Sequence, residues 1–470
     1  MRTLQLIIGV ALLIGCDGEM PSGMDAGGSR DAGNTPRDAG VGRDGATGVD
    51  GGGSDAGPPP PGELRDSLTQ YGITWTFDHE YETGRFVNGD FWIVGPVQVI
   101  SISPMPTGNR NGSMVDPVDD QAYDSRGGRY DGAKGVTLPL TIDAGHSLVS
   151  SISHDETPAC QQGGADGWET YNGDCQRGPI DTQAVLTVLG EAPPSDAFRP
   201  AYSAHGPRLY READICWERL PRLALPSGAS MPSSAGVLRA VERPWIDHLN
   251  SWTMQHGCAT NNMFCYGREI GDIVSNVTAY AMLDTPDREE VARRLIQIGI
   301  DNAGVLRAGG GWGSDGGHFN GRKWPIVFAG GMLGDAEMES PGDRVGNEDQ
   351  MTYYGAGGTA LWGRDCMSCY TATCDYPSGC SSGSKDCRDP AETIDGCGDY
   401  RNCCTSGTWV GEALAARLMG LDTAWGHDAF FDYVDRWMDG DVPGGGDTSG
   451  QLVSAMWDAY RDATPTMACP

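Results

Sequence analysis

Hydrophobic and polar positions change rhythm twice along this chain of 470 residues. A short apolar run, Leu4 to Ile14, gives way to polar low-complexity sequence that lasts to Gly62. From Tyr71 to Leu189 apolar and polar residues then alternate in short bursts: Ile73 to Phe77, Val97 to Ile102, Val136 to Ile142, Leu148 to Ile152 and Ala184 to Leu189. Gly, Pro, Asn or Asp bound each burst. Alternation of period two predicts half-buried strands, and a series of short strands separated by turn residues predicts a β-sandwich over residues 63–194, closed by Pro193-Pro194. After Tyr202 the period lengthens. Ile270, Val274, Val277 and Ala281 fall on one helical face, as do Val291, Leu295 and Ile298, and 408–420, 428–438 and 450–461 repeat the pattern. Pro325 opens a further helix, since proline is accepted in a first turn. The expected chain is α+β and multidomain: an N-terminal β-sandwich followed by a mainly helical domain, 195–470. Long Gly-rich connections argue against a compact four-helix bundle and predict a helical array whose loops gather at one end.

The opening segment has its own chemistry. Its apolar run is about half the ~20 residues needed to span a bilayer, so it predicts a signal region and no membrane-spanning helix. Arg2, the apolar run and Leu13-Ile14-Gly15-Cys16 resemble the lipobox of bacterial lipoprotein signal peptides. The resemblance implies removal of residues 1–15, lipidation of Cys16, and a mature chain held at a bacterial cell-envelope membrane on its periplasmic or surface side. Residues 16–62 repeat Asp-Ala-Gly and end in Pro58 to Pro61. With almost no large apolar side chain this stretch cannot offset the entropy of ordering, and it predicts a disordered tether. Its Asp–Gly spacing leaves structural calcium open, though no EF-hand loop is present. No other cofactor is expected.

The chain carries 64 Asp and Glu against 33 Lys and Arg, a net charge of −31. A body so acidic repels polyanions, and no Lys/Arg run tracks phosphates, so nucleic acid is excluded as a partner. Fourteen cysteines follow Cys16, an even number in an exported chain. Cys366, Cys369, Cys374, Cys380, Cys387, Cys397, Cys403 and Cys404 crowd one insertion, 364–404. Cys366-x-x-Cys369 also fits half of a zinc site, but the oxidising compartment favours disulfides. Cys160 with Cys175 and Cys258 with Cys265 offer local pairs, which leaves Cys216 and Cys469 for each other.

Three places concentrate chemistry. In Gly309 to Pro325 a glycine-rich loop carries His318, Asn320, Arg322 and Lys323, with Trp312 and Trp324 beside them, to the start of a helix. Unpaired N–H groups and the helix dipole favour an anion there, and two cations add to the pull. The competing explanation is a loop whose glycines serve only its shape. In the second, Tyr266 precedes a helix on which Arg268, Asp272 and Asn276 share a face with Glu269 alongside, either a site or a solvated face with an Arg268–Asp272 pair. The third is His427 with Asp428, Asp432 and Asp435, where the acids also suit a helix start. Glu348 and Asp349 form a loop carboxylate pair. Trp75, Tyr81, Phe86, Phe91 and Trp92 suit either a sugar-stacking platform or, more simply, a core.

A sandwich beside a helical array with loops rich in Trp, Tyr, His and Arg is similar in architecture to the secreted (α/α)-toroid polysaccharide lyases and related glycoside hydrolases. The similarity covers roughly Tyr71 to Arg461, although many such lyases place the sandwich after the helices. It implies an (α/α)-toroid-like helical domain and a surface-anchored carbohydrate-active enzyme. In a lyase of uronic-acid polysaccharides, Arg322 or Lys323 with Asn320 would neutralise the sugar carboxylate. His318 or Tyr266 would take the C5 proton, and His427 or a tyrosine would protonate the leaving oxygen. Trp312, Trp324 and Arg268 would contribute to binding. A glycoside hydrolase would instead use two of Glu269, Asp272, Glu348 and Asp349. The third possibility is a non-catalytic lipoprotein that binds glycan or another partner.

Overall fold

The computed structural model describes residues 62–466 apart from 108, 119–122, 127–129, 156–178, 250–257, 265–266, 313–316, 318–319, 346–347, 364–400, 403 and 443. Eight strands form one mixed sheet: β1 (Glu63–Gln70), β2 (Ile73–Arg85), β3 (Phe91–Val94), β4 (Val97–Ser103), β5 (Ser113–Val115), β6 (Leu140–Ile142), β7 (His146–Ser153) and β8 (Ile180–Leu189). Their order is β5-β7-β8-β3-β2-β4-β6, with β1 also on β2. All pairings are antiparallel except β3 with β8. Gln70 pairs with Ile73, so β1 and β2 are joined by Tyr71-Gly72 alone. Both residues have positive φ, 50° and 81°, as the tightest hairpin turn requires. The predicted strand 136–142 shortens to β6, because Pro139 has no N–H to give a ladder.

The helical part holds α1 (Ser234–Val241), α2 (Gly267–Ala281), α3 (Arg288–Arg307), α4 (Lys323–Leu333), α5 (Ala336–Glu339), α6 (Ser406–Leu418), α7 (Asp422–Trp425), α8 (Asp428–Met438) and α9 (Gln451–Tyr460). Phe430, Phe431, Val434 and Trp437 form the buried stripe of α8, and Ile270, Ile273, Val274 and Val277 that of α2. Helix α4 is apolar around nearly its whole circumference and buried along its length, as a helix enclosed by neighbours must be. It crosses α3 closely: a Cβ on Gly299 would lie 2.1 Å from the Pro325 carbonyl oxygen. A short hairpin, β9 (Thr352–Tyr354) with β10 (Ala360–Trp362), packs on α8.

The expected β-sandwich followed by an (α/α)-toroid-like domain is not what forms. The strands make a single sheet curled into a half-barrel, and among the described residues no all-helical toroid accompanies it. The curl has a cause in side-chain placement. Leu68, Trp75, Phe77, Ile93, Val99, Ile142, Leu148, Leu186 and Val188, drawn from strands across the whole sheet, meet in one cluster on its inner side. The outer side of β5, β7 and β8 takes helices in place of a second sheet: Met114, Val149, Ile180 and Val185 share a core with Ile273, Val277, Ile296 and Phe328. Strand β8 is therefore buried on both faces. The helices pair across long sequence separations, α2 on α6 and α9 as well as on α3, where a toroid would stack successive hairpins. Trp75, Phe86, Phe91 and Trp92 are core residues, and Tyr81 is half-buried.

Candidate functional site

Helices α2, α4 and α6 and the 3₁₀ turn Glu348–Met351 enclose a polar cluster built from the predicted loop and from segments remote from it. Arg322 is 1 % exposed and donates from Nε and Nη2 to the two oxygens of Asp247, at 2.8 and 3.4 Å. The Lys323 ammonium lies 2.8 Å from Asp349 Oδ2, which also accepts from Trp425 Nε1 at 2.6 Å. Asn320 is fixed from both ends: its amide donates to the Cys404 carbonyl at 2.7 Å, and its Oδ1 accepts from Trp409 Nε1 at 2.9 Å. Trp324 donates to Thr278 Oγ1, while Trp312 is enclosed.

The sequence placed Arg322 and Lys323 at an open, anion-attracting mouth. The structure corrects that placement: both are interior, and each faces a carboxylate of the chain itself. A buried cation needs such a partner, because leaving it unpaired in a low-dielectric interior costs several kcal/mol. On α2, Arg268, Asp272 and Asn276 do share a face, with Glu269 beside it, and Arg268, Glu269 and Asp272 are half-buried. Burial pushes Asp272 up to about 6 against the opposing pull of a Ser449 hydrogen bond and of Arg268. That face meets the segment before α9, where Asn276 donates to the Ser449 carbonyl. His318 and Tyr266 lie outside the described residues, as do Cys16, the tether, Cys160, Cys175, Cys265 and Cys366 to Cys403. Cys258 and Cys404, assigned to disulfides, are disulfide-bonded, and so is Cys216. Among the described residues no group of three or more His, Cys, Asp or Glu is arranged to hold a metal.

Several members of the interior cluster were not foreseen. Asp247 and His248 sit in an irregular segment without periodicity, and nothing local marks them. His248 is enclosed edge-on between Tyr123 and Tyr202, with ring centroids 5.9 and 6.0 Å away. Glu412 did leave a signal, as the one acid within the apolar run Trp409 to Ala416. It is fully buried, and neither carboxyl oxygen has a hydrogen-bond partner among the described residues. Burial raises its pKa well above the usual carboxylate range; Asp349 adds to the rise, and Arg322 and Lys323 oppose it.

A different arrangement faces solvent. Tyr354, at the end of β9, is 43 % exposed, and its hydroxyl donates to Asp432 Oδ2 at 2.7 Å. Partial desolvation and the Asp432 carboxylate hold the phenol up to about 12. Asp428 and Asp432, one turn apart on α8, are both exposed. His427 precedes α8, with Nε2 2.9 Å from Thr352 Oγ1 and 3.0 Å from the Thr352 carbonyl oxygen. A carbonyl only accepts, so Nε2 carries the proton. Thr352 Oγ1 donates in turn to the Asp349 carbonyl at 2.7 Å. This chain of bonds ties the root of the hairpin to the interior cluster.

No family model matches the chain, and no curated protein or solved structure matches it.

Proposed function

We propose that the protein is an envelope lipoprotein, anchored through Cys16, that binds neutral glycan on the surface made by the β9–β10 hairpin and α8. The observation that carries this reading is the exposed Tyr354 ring, held in one orientation by Asp432 with a second exposed carboxylate, Asp428, on the same helix face. An aromatic ring matches the apolar face of a pyranose, and carboxylates accept hydrogen bonds from sugar hydroxyls. Locking the phenol beforehand lowers the entropy lost on binding.

Net charge selects the class of glycan. At −31 the chain repels polyuronides, and the two cations that the lyase reading needed are paired with Asp247 and Asp349. Neutral polymers suffer no such repulsion. The test is affinity electrophoresis of the full chain in neutral and uronate polysaccharides, with assays for new reducing ends and for ultraviolet-absorbing unsaturated ends run alongside. Retardation by neutral polymer alone, without product, and weakened about tenfold in Tyr354→Ala, is the expected result, an aromatic contact being worth about 1 kcal/mol beyond its area. Cleavage of either polymer class, or binding indifferent to Tyr354, overturns the proposal.

A further inference from the structure

Lys323 and Asp349 form a buried pair that glycan binding does not use. We propose that the Lys323 side chain becomes joined to the Asp349 side chain by an intramolecular amide. The link is independent of any glycan bound at Tyr354.

Three observations carry it. Nζ of Lys323 lies 2.8 Å from Asp349 Oδ2, with the two side chains 2 % and 0 % exposed, so amine and carboxyl are held in contact away from water. Aromatic rings line the place: Nζ is 4.9 Å from the centre of the Trp425 ring, which stacks on Phe430 at 4.9 Å and lies near Trp324. Finally, the oxygens are unequally engaged. Asp349 Oδ2 accepts from Trp425 Nε1, whereas Asp349 Oδ1 and both oxygens of Glu412 have no hydrogen-bond partner among the described residues. Orphaned oxygens in a dry interior are costly in an ordinary ion pair. An amide removes both charges and one of those oxygens.

The chemistry balances without a co-reactant. A proton passes from the Lys323 ammonium to the Asp349 carboxylate that it touches. The neutral Nζ then attacks Cγ of Asp349, and a bond forms between them. Oδ2 keeps its hydrogen bond from Trp425 and becomes the amide oxygen. Oδ1 leaves as water with two of the three protons the ammonium held, and the third stays on the amide nitrogen. Ammonium and carboxylate become one amide and one water, with nothing oxidised or reduced. Contact in a fixed orientation supplies the effective concentration that the bimolecular reaction lacks.

Peptide mapping of the full chain, reduced and alkylated, distinguishes the amide from an ion pair. In an unlinked chain trypsin cuts after Arg322, Lys323, Arg344 and Arg364. The linked chain resists cleavage after Lys323 and yields one branched species in which 323–344 is joined to 345–364, lighter than the sum of the two peptides by one water. Lys323→Arg yields the two peptides separately. Recovery of 324–344 and 345–364 as separate, full-mass peptides from the unaltered chain would mean an ion pair only and overturns the proposal, as does a branch that persists in Lys323→Arg. The peptides of the unaltered chain answer the question even if a variant fails to fold.

Discussion

Arg199 grips Asp301 with two parallel hydrogen bonds, Nη1 to Oδ1 at 3.0 Å and Nη2 to Oδ2 at 2.6 Å, while its Nε reaches Asp90 at 2.6 Å. All three side chains are enclosed. Asp90 ends the turn before β3, Arg199 lies in the segment after β8, and Asp301 is on α3, so one guanidinium ties sheet, linker and helix. Removing either partner of such a group strands the other charge. Asp301→Ala is expected to lower unfolding free energy by about 3–5 kcal/mol, measured by denaturant titration with Asp284→Ala, on an exposed pair, as the mild comparison.

The same group shapes the response to pH. Burial, only partly countered by Arg199, lifts Asp301 to about 6, and Asp272 also titrates near 6. Burial raises Glu412 as well. Groups with a raised folded-state pKa hold more protons when folded, so their contribution is largest at low pH and is lost as pH climbs through 6. His205 works the opposite way: burial holds it near 4, so acidification from 6.5 towards 4 costs stability. Asp124, Asp335 and Asp435 are lowered by hydrogen bonds and charges that outweigh their desolvation, and stabilise only above the ordinary value of 3.8. Three raised acids outnumber one histidine, so melting temperature should rise from pH 7.5 to about 5 and fall below 4. Asp301→Asn should flatten the upper limb. A curve that rises steadily to pH 8 would contradict this assignment.

At Gly299 two helices come too close for any side chain. Gly299→Ala forces the added carbon against Pro325 O and the Ala329 side chain, 2.1 and 2.6 Å away. A loss of about 1–3 kcal/mol is expected from overpacking a fixed crossing. Gly309→Ala, where nothing lies within 4 Å but φ is +88°, separates backbone strain from packing in the same thermal assay.

On the exposed face, ring and hydroxyl of Tyr354 are separable. Tyr354→Phe keeps the stacking surface and frees Asp432, so glycan retention should change by less than about threefold, against about tenfold for Tyr354→Ala. Asp428→Asn with Asp432→Asn keeps one acceptor oxygen at each position and removes two charges. Uronate polymers, excluded before, should then be repelled less, while neutral polymers are held nearly as before. Affinity electrophoresis at low ionic strength reads both.

Much of the local structure was legible in the sequence. The apolar stripe of 428–438 matches α8 end to end, and the alternation at 73–77 and 97–102 lies within β2 and β4. What failed was assembly. Alternation shows that a strand has a buried face but not what covers it, and in β7 and β8 helices cover the face a second sheet was expected to fill. The parallel partnership of Phe91 with Leu186 joins residues far apart in sequence that no local pattern relates. The site failed for the same reason. Cations at Arg322 and Lys323 stand out in an acidic chain, but their charge is spent on Asp247, 75 residues upstream, and on Asp349 in another element. Asp432 was noted only as part of an acidic stripe, and Tyr354 gave no signal, since its exposure comes from the hairpin.

Strand β8 sends Val185 to one core and Leu186 to the other, with both side chains fully enclosed. Side chains in a strand change sides with every residue, so inserting or deleting one position between Ile180 and Leu189 would exchange the contents of two interiors at once. Descendants of this chain are thus free to lengthen their surface loops and to swap one aliphatic group for another here, but the spacing of these ten residues is closed to drift.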